Sequence, residues 1–279
     1  MHNDTKVVDR AVDSAISQEH VSEVVIVDDG SDDDKAIDVD AFGGNRVKLI
    51  SQTHQGPSAA RNAGAHAATA SHLVFLDADD VLLNGAIDRF HELHQGGHRL
   101  VRSGAVCGSE TRLAVDGVGW HPRGCPLAGS FSIERALFLE LGAYDTELRF
   151  GENTELLMRA YLTLVTSRDS IGYLHQPTVR ISEHTDRPPD FYDSRRIHSI
   201  ERILRTYDRE LRSSPADLAI YLALAANLYA SRGDRIAAIR HGWLRTRVQP
   251  RSLRAWMQLV RLALKPQRRF VPEPVGTST

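Results

Sequence analysis

The stretch Leu73–Asp80 reads LVFLDADD and joins a short apolar segment to three carboxylates within four positions. The apolar half has the β-branched and aromatic residues of a buried strand, and the carboxylates follow where that strand ends. A buried carboxylate needs a cation or several hydrogen-bond donors beside it. Oxygen ligands of this kind suit Mg²⁺ or Mn²⁺ carrying a phosphate better than Zn²⁺. The same pattern also fits a solvated turn that caps a helix near Asn84, so the neighbouring sequence must separate the two interpretations.

A second acidic turn follows an earlier apolar segment. Residues Val21–Val27 predict a buried strand that runs directly into Asp28-Asp29-Gly30-Ser31. A helix is predicted over residues 59–70, and Arg61 lies in its first turn, where a guanidinium fork can reach a phosphate or a carboxylate. In open α/β sheets ligands bind at the carboxyl ends of the strands. Two acidic turns with an arginine between them therefore predict a nucleotide and metal site rather than turn chemistry alone.

Strands and helices alternate with short connections through the first two thirds of the chain, which predicts an α/β fold with a mostly parallel central sheet. The pair Pro188-Pro189 marks a boundary, because neither residue donates a backbone hydrogen bond and both resist helix continuation. Beyond it four helices are predicted, over about 190–212, 216–231, 234–247 and 251–264. The predicted domains are an α/β domain over 1–187, an all-helical region over 188–269 and a disordered tail over 270–279.

The formal net charge of −2 conceals an uneven distribution of charge. Residues 190–279 contain 17 Lys and Arg against 8 Asp and Glu, whereas the rest of the chain contains 17 against 28. Two interpretations of the basic part stand: contact with anionic lipid or a lipid-phosphate acceptor, or a solvated helical surface facing the acidic domain. Nucleic acid is not expected as a partner, since no base-reading or aromatic-interleaved pattern accompanies the charge.

The two cysteines, Cys107 and Cys125, form neither a disulfide framework nor a recognisable metal motif, which predicts a reduced compartment. No window approaches the roughly 18 consecutive apolar residues of a membrane span, and the N-terminus has no signal-peptide pattern. The expected location is the cytoplasm, with the basic C-terminal helices as a peripheral contact with the inner face of the membrane.

Three ordered segments resemble family 2 glycosyltransferases: VVIVDDGS at 24–31, GPSAARNAG at 56–64 and FLDADD at 75–80. The resemblance covers about residues 3–185 and implies the GT-A fold, in which one Rossmann-like α/β domain binds a nucleotide sugar and carries a metal-binding Asp-x-Asp pattern. The implied contacts are Asp29 with the base, Arg61 with the nucleotide, Asp77 with the ribose or sugar, and Asp79 with the metal, assisted by Asp80. Asp28 joins the nucleotide-binding set, and His184 is expected to complete the metal shell.

The resemblance also implies an activity. A sugar moves with inversion from a nucleotide-diphosphate donor, with a UDP-sugar favoured, to a sugar, lipid-linked or polysaccharide acceptor, and Mn²⁺ or Mg²⁺ is the expected cofactor. The chain lacks the Gln-x-x-Arg-Trp pattern of processive synthases, which favours single-sugar addition in cell-surface polysaccharide biosynthesis. A nucleotidyltransferase shares the metal chemistry but would carry a Gly-rich, Lys-containing phosphate loop near its N-terminus, and no such loop is found there.

The acceptor-side segment departs from the family. Where family members have Gly-Glu-Asp, with the Asp as general base, this chain has Gly151-Glu152-Asn153. An amide cannot accept the proton of an acceptor hydroxyl, because its nitrogen lone pair is delocalised. Three possibilities follow: Glu152 takes the role, which we favour; the register shifts to Glu155; or activity is low or lost. Glu152 and Asn153 also fit a purely structural role as residues of a helix N-terminus.

A second departure concerns the first strand. The family opens with a central strand beside the one that precedes the Asp-x-Asp pattern, whereas this sequence opens with Met1-His2-Asn3. We expect that strand to be missing and the natural start to lie upstream; a sheet that closes differently is the alternative. The run from Ala225 to Pro250 resembles one tetratricopeptide-like hairpin. The rival functional hypothesis is a weak or inactive glycosyltransferase-like protein that binds a partner through these helices.

Overall fold

Eight strands lie within the described residues, and most of them are apolar segments of the first two thirds of the chain. The structure is a computed structural model that describes residues 7–32, 37–42, 45–115, 124–167, 171–182 and 193–264. In chain order the strands are β1 (Val24–Asp29), β2 (Val47–Gln52), β3 (His72–Val74), β4 (Val81–Leu82), β5 (Leu100–Cys107), β6 (Glu110–Leu113), β7 (Phe131–Glu134) and β8 (Ile171–Ile181).

Ten α-helices lie within the described residues, with a 3₁₀ turn at Val39–Phe42. The first five are α1 (Val8–Ile16), α2 (Pro57–Ala67), α3 (Ala86–Gln95), α4 (Arg135–Glu140) and α5 (Glu152–Ser167). The last five are α6 (Asp193–Thr206), α7 (Asp208–Ser213), α8 (Pro215–Ser231), α9 (Arg235–Val248) and α10 (Leu253–Leu264). The helix predicted over 190–212 is therefore two helices, separated at Tyr207. None of the helices in the described ranges has the length and apolar character needed to cross a membrane.

The strands form two sheets. β1 and β2 pair in parallel, and a six-stranded sheet has the order β3-β7-β5-β8-β4, with β6 on β5. The α/β fold class is confirmed, but the expectation of a mostly parallel sheet is wrong for the described strands. Four of their six pairings are antiparallel, and only β1–β2 and β5–β8 are parallel. One cause is local: β5 and β6 are joined by Gly108 and Ser109 alone, and such a short link forces a hairpin.

An aromatic cluster forms the core beside the acidic turn. Phe75 packs 5.2 Å from Phe138 and 5.1 Å from Tyr144, measured between ring centroids. Helix α5 is buried on several sides and contributes Leu156, Leu157, Ala160 and Leu164, which are 0% exposed. This packing fixes the end of β3 against the start of α5, so the two segments that the sequence predicts to act on donor and acceptor meet over one core.

A cavity of about 470 Å³ is lined by both β1 and β3. Consecutive residues of each strand face it, from Val24 to Val27 and from His72 to Val74, so the strands present their edges to the cavity. Within the described chain β1 pairs only with β2 and β3 only with β7, which leaves each with one open hydrogen-bonding edge. The cavity lies beside β3, the position that the family resemblance gives to the family's first strand.

The chain divides into two compact units. The first comprises Met1–Thr146 and Gly151–Thr185, and the second Glu147–Phe150 and Asp186–Thr279. The predicted boundary at 187/188 and the predicted tail lie outside the described residues. In the second unit α8, α9 and α10 pack through small side chains, notably Ala226 and Ala238, which are fully buried.

Candidate active site

The acidic turn after β3 is held in place by the end of β8. The amide of Asp80 donates to the carbonyl of Asp77 at 3.1 Å, which closes the turn. Ser182 donates its amide to Oδ1 of Asp80 at 2.9 Å and its hydroxyl to the carbonyl of Asp79. These bonds hold the turn in one conformation, and no sequence pattern indicated that Ser182 would be its partner.

The carboxylates of this turn concentrate negative charge. Asp80 is only 3% exposed, whereas the side chain of Asp77 is 45% exposed. Burial is the main cause that raises the pKa of Asp80 to about 7; the charges of Asp77 and Asp79 raise it further, against the Ser182 hydrogen bond and the Arg61 charge. Three carboxylates in one turn are hard oxygen donors of the kind that a divalent cation prefers. Their chemistry fits the expected Mn²⁺ or Mg²⁺, but in the described residues their oxygens do not all lie within 4.8 Å of one another.

Arg61 joins the two sides of the site. Its Nη2 donates to Oδ1 of Asp77 at 2.6 Å, and its Nη1 donates to Oε1 of Glu152 at 2.8 Å. Its side chain is 13% exposed and lies 5.5 Å from the centre of the Tyr144 ring. Burial opposes the positive charge, but the adjacent carboxylates and the Tyr144 hydroxyl raise the pKa of Arg61 above its ordinary value. Three of the predicted site residues, from three separate segments, therefore form one chain of contacts.

Asp29 lies at the end of β1 and organises the loop before α2. Its carboxylate accepts hydrogen bonds from the Gln52 side chain at 2.7 Å and from the amides of Gln55 and Gly56 at 2.8 and 2.7 Å. Burial alone would raise the pKa of Asp29, but these donors lower it below the ordinary value. In this structure the side chain predicted to contact the base therefore positions the loop that opens α2.

Asp28 supports the turn after β1. Its Oδ1 accepts from the amide and the hydroxyl of Ser31, at 3.0 and 2.6 Å. Between them Gly30 has a φ of +71°, and an added Cβ there would lie 2.8 Å from the His54 amide nitrogen. The turn thus requires glycine at this position.

Asn153 is buried in the core. It is 8% exposed, and its Oδ1 accepts a hydrogen bond from the Tyr144 hydroxyl at 2.8 Å. Tyr144 is held in turn by Asn62, which donates to its carbonyl and accepts from its amide, both at 2.9 Å. Asn62 lies in the segment 56–64 that resembles the family, but its pairing with Tyr144, 82 positions away, could not be deduced from spacing.

Glu155, the alternative base, forms an ion pair with Arg159. It is 5% exposed, and its two carboxylate oxygens accept from Nε and Nη2 of Arg159 at 2.8 and 2.6 Å. Arg159 also donates to the carbonyl of Leu141 at 2.6 Å, so the pair joins α5 to the end of α4. The geometry favours Glu152 over Glu155 as the carboxylate available to a ligand.

The predicted metal shell is described only in part, because His184 lies outside the described residues. Among the residues that the structure does describe, one group of three ligand atoms within 4.8 Å of one another comes from Glu19, His20 and Asp88. No sequence pattern predicted this group. Two of its members are exposed, and the ring of His20 is paired with Asp88 at 3.0 Å.

Comparison with known proteins concerns mainly the first part of the chain. Residues 1–113 match the family model described as Glycosyl transferase family 2. This part of the chain is therefore similar to glycosyl transferase family 2 domains. The match covers the turns after β1 and β3 and Arg61, but it ends before Glu152 and Asn153.

Two relatives extend the comparison. An uncharacterized glycosyltransferase of Nostoc sp. is 39% identical over 98 residues, which are 34% of this chain and 30% of the relative. The succinoglycan biosynthesis protein ExoU of Rhizobium meliloti is 30% identical over 191 residues, which are 63% of this chain and 50% of ExoU. The chain therefore spans half or less of the length of either relative.

Solved structures resemble most of the chain. S. aureus TarS 1–349 in complex with UDP superposes with a TM-score of 0.56 at 16% identity, covering 94% of this chain and 86% of that one. The complex of the same protein with UDP-GlcNAc gives a TM-score of 0.56 and covers 94% and 87%. At this identity the likeness concerns the fold alone, and it agrees with the GT-A fold expected from the sequence.

Proposed function

We propose that this protein is a glycosyltransferase that moves a sugar from a nucleotide-diphosphate donor to an acceptor hydroxyl with inversion. The observation that supports it most directly is the position of Arg61 between Asp77 and Glu152. The first carboxylate belongs to the segment that resembles the donor side of the family, and the second to the segment that resembles the acceptor side. One buried guanidinium holds both, so donor and acceptor groups would meet at a fixed separation.

Glu152 is the proposed general base. Among the described residues Arg61 is its hydrogen-bond partner, through Oε1 alone, and the side chain is 15% exposed. In the proposed step Glu152 takes the proton of the acceptor hydroxyl while the acceptor oxygen bonds to the anomeric carbon. The bond from that carbon to the donor phosphate breaks, and the nucleoside diphosphate leaves with the electron pair. A single displacement of this kind inverts the anomeric centre.

The cofactor proposal is Mn²⁺ or Mg²⁺ held by Asp79, with Asp77 and Asp80 beside it and His184 as a further ligand. Bound there, the ion would neutralise the charge that develops on the departing diphosphate. Within the chain, Ser182 keeps the turn in place. Asp29 and Asp28 hold the loops around the nucleotide.

The finer features of the proposal rest on resemblance. A UDP-sugar is the proposed donor, supported by the TarS structures with UDP and UDP-GlcNAc. A sugar, lipid-linked or polysaccharide acceptor is proposed, supported by the succinoglycan relative. Single-sugar addition at the cytoplasmic face of the membrane completes the proposal.

A second candidate is a weak or inactive glycosyltransferase-like protein that binds a partner through its C-terminal helices, with α8 and α9 as a tetratricopeptide-like hairpin. Asn153 favours it, since an amide that accepts from Tyr144 cannot act as the base. Donor turnover separates the two candidates, because both would bind nucleotide.

The decisive experiment measures UDP release from UDP-GlcNAc, UDP-glucose and UDP-galactose with Mn²⁺ and a panel of short saccharide acceptors. Glu152→Gln should lower turnover by at least about 100-fold, the usual cost of losing a general base. Calorimetric titration of UDP should show little change in affinity, because the amide oxygen of Gln can still accept from Arg61. Turnover that survives Glu152→Gln would remove Glu152 from the mechanism.

Three variants act as controls. Glu134→Gln alters another partly buried carboxylate that pairs with an arginine, Arg99, and should leave turnover intact. Glu155→Gln should lower thermal stability without a specific loss of turnover. Asn153→Asp keeps an acceptor for Tyr144, and we expect it to raise turnover little. If the double variant Glu152→Gln/Asn153→Asp recovers activity, position 153 rather than 152 is the place of the base.

A further inference from the structure

The last described helix exposes an apolar face. Leu253, Met257 and Leu264 of α10 are 73%, 62% and 76% exposed, and Trp256 and Val260 are about half exposed. The five positions follow the spacing i, i+3, i+4, i+7 and i+11, so their side chains form one stripe along the helix. We call it the α10 stripe. Single exposed apolar residues are ordinary in proteins, but five on one face of a twelve-residue helix indicate a binding surface.

The α10 stripe is separate from the face of the helix that packs in the core. The opposite side of α10 already packs in the core, where Ala255 and Leu262 are buried. Leu262 lies against α9, since a Cβ added at Gly242 would be 3.1 Å from it. Arg235 and Arg245 of α9 also donate to Ala263 and Gln258 of α10. The helix is therefore anchored on one side and presents the stripe on the other.

Positive charge accompanies the stripe. Between Asp234 and Glu273 the sequence contains ten Arg or Lys residues and no Asp or Glu. Arg254 and Arg261, two turns apart on α10, are exposed and lie on the same flank of the stripe. An apolar face bordered by arginines and free of carboxylates is the pattern of a helix that lies in a membrane interface.

Trp256 fits the same environment. Its ring is 47% exposed, and its Nε1 donates to the carbonyl of Pro250 at 2.9 Å. Tryptophan with an apolar body and a satisfied polar edge is enriched at the level of lipid head groups. A second copy of this chain is a poorer occupant, because two α10 stripes face to face would bring their flanking arginines together.

We propose that α10 docks on an anionic lipid surface, with the stripe in the apolar boundary and Arg254 and Arg261 at the phosphates. The inference goes beyond the proposed function, because it assigns a lipid partner to the second unit and does not depend on nucleotide binding. Each basic residue near an anionic surface changes the affinity by about fivefold. Apolar burial and charge would act together, as they must for a peripheral helix to bind stably.

The test is flotation of the full chain with vesicles of phosphatidylcholine containing roughly one third phosphatidylglycerol, against pure phosphatidylcholine vesicles. The chain should float with the anionic vesicles only. Arg254→Glu/Arg261→Glu should weaken binding at least about 25-fold, and Leu253→Ser/Met257→Ser/Val260→Ser should abolish it. The fluorescence of Trp256, assigned with Trp256→Phe, should shift to shorter wavelength on binding.

Matched variants keep the test specific. Arg205→Glu/Arg209→Glu changes the net charge equally at exposed positions of α6 and α7, and it should weaken vesicle binding much less. The triple serine variant changes exposed side chains, so circular dichroism should show an unchanged fold. Equal binding to both vesicle types, or unchanged binding of the α10 variants, would overturn the proposal. The proposal would also be overturned if the chain bound no vesicles and instead formed a dimer, seen by sedimentation velocity, that the triple serine variant dissociates.

Discussion

Arg61 is the residue on which the geometry of the candidate site depends. It satisfies carboxylates that come from the turn after β3 and from the start of α5, 16 and 91 positions away along the chain. Removing one partner of such a partly buried set leaves the others uncompensated, which costs more than the loss of an exposed ion pair. Asp29 differs, because its carboxylate is satisfied by loop donors and acts on the loop rather than across the site.

His94 provides a residue-level prediction on stability. It is buried, its Nδ1 donates to the carbonyl of His98 at 2.6 Å, and its Nε2 lies 2.8 Å from the Ser132 hydroxyl, which donates to it. Burial is the main cause that lowers the pKa of His94 to about 4. The unfolded chain binds this proton below about pH 6.5, whereas the folded chain does not until about pH 4. Stability is therefore complete above pH 6.5 and is lost as the pH falls.

We expect the free energy of unfolding to drop by about 2 kcal/mol between pH 7 and pH 5 through this one group. Urea denaturation at the two pH values measures it. His94→Gln should flatten the dependence by that amount, although it also lowers stability at pH 7. His66→Gln, at an exposed histidine, should leave the dependence unchanged. If the free energy of unfolding of His94→Gln falls between pH 7 and pH 5 as much as that of the unaltered chain, His94 is not the group responsible for the pH dependence.

The sequence indicated the candidate residues of the site but not their partners. Local patterns of apolar, acidic and basic residues pointed to the turns after β1 and β3 and to Arg61, whereas the family resemblance pointed to Glu152. The Arg61–Glu152 contact joins residues 91 positions apart, and only the fold determines it. The burial of Asn153 against Tyr144 could not be predicted from the sequence either, because a capping residue and a core residue can have the same local sequence context.

At the level of elements, apolar patterns predicted the strands before the two acidic turns and several helices, but not the direction of the strands. β7 pairs with β3 and with β5 in antiparallel fashion, and β4 pairs so with β8. Alternation of strands and helices favours parallel pairing only where each helix crosses between neighbouring strands. Here consecutive strands are often not neighbours in the sheet, and sequence patterns do not encode that order.

The cavity between β1 and β3 leads to an element-level prediction. Fusing an extended segment of six apolar, β-branched residues ahead of Met1 should raise the thermal midpoint, because the segment can fill the cavity and pair with both open edges. Apolar burial and a few new backbone hydrogen bonds should add at least about 2 kcal/mol to the free energy of unfolding. Differential scanning calorimetry measures the shift.

The matched control for this fusion carries proline at alternate positions of the added segment. Proline cannot donate to a strand ladder, so the control keeps much of the apolar character but loses the pairing. Equal stabilisation by both fusions would show that the cavity accepts any apolar material. No stabilisation by either would show that its edges are not available to a strand.

At the scale of the whole molecule, the two parts of the chain that are proposed to bind anions carry net charges of opposite sign. Residues 190–279 have an excess of basic side chains and include α10, the helix proposed to bind lipid. The rest of the chain has 28 acidic against 17 basic residues, yet its proposed ligand is an anionic diphosphate. Without a cation the acidic turn at Asp77–Asp80 would repel that ligand. Salt should therefore affect the two interactions in opposite directions.

The prediction compares UDP binding and vesicle binding at about 0.02 M and about 0.2 M KCl, where the screening length falls from roughly 20 Å to roughly 7 Å. Vesicle binding should weaken with salt, because attraction is screened. UDP binding in the presence of a chelator should be weak and should strengthen with salt, because repulsion is screened. Mn²⁺ should raise UDP affinity strongly, and Asp79→Ala should remove that increase. If metal-free UDP binding weakens with salt as vesicle binding does, local cations such as Arg61 rather than the acidic turn govern the approach of the nucleotide.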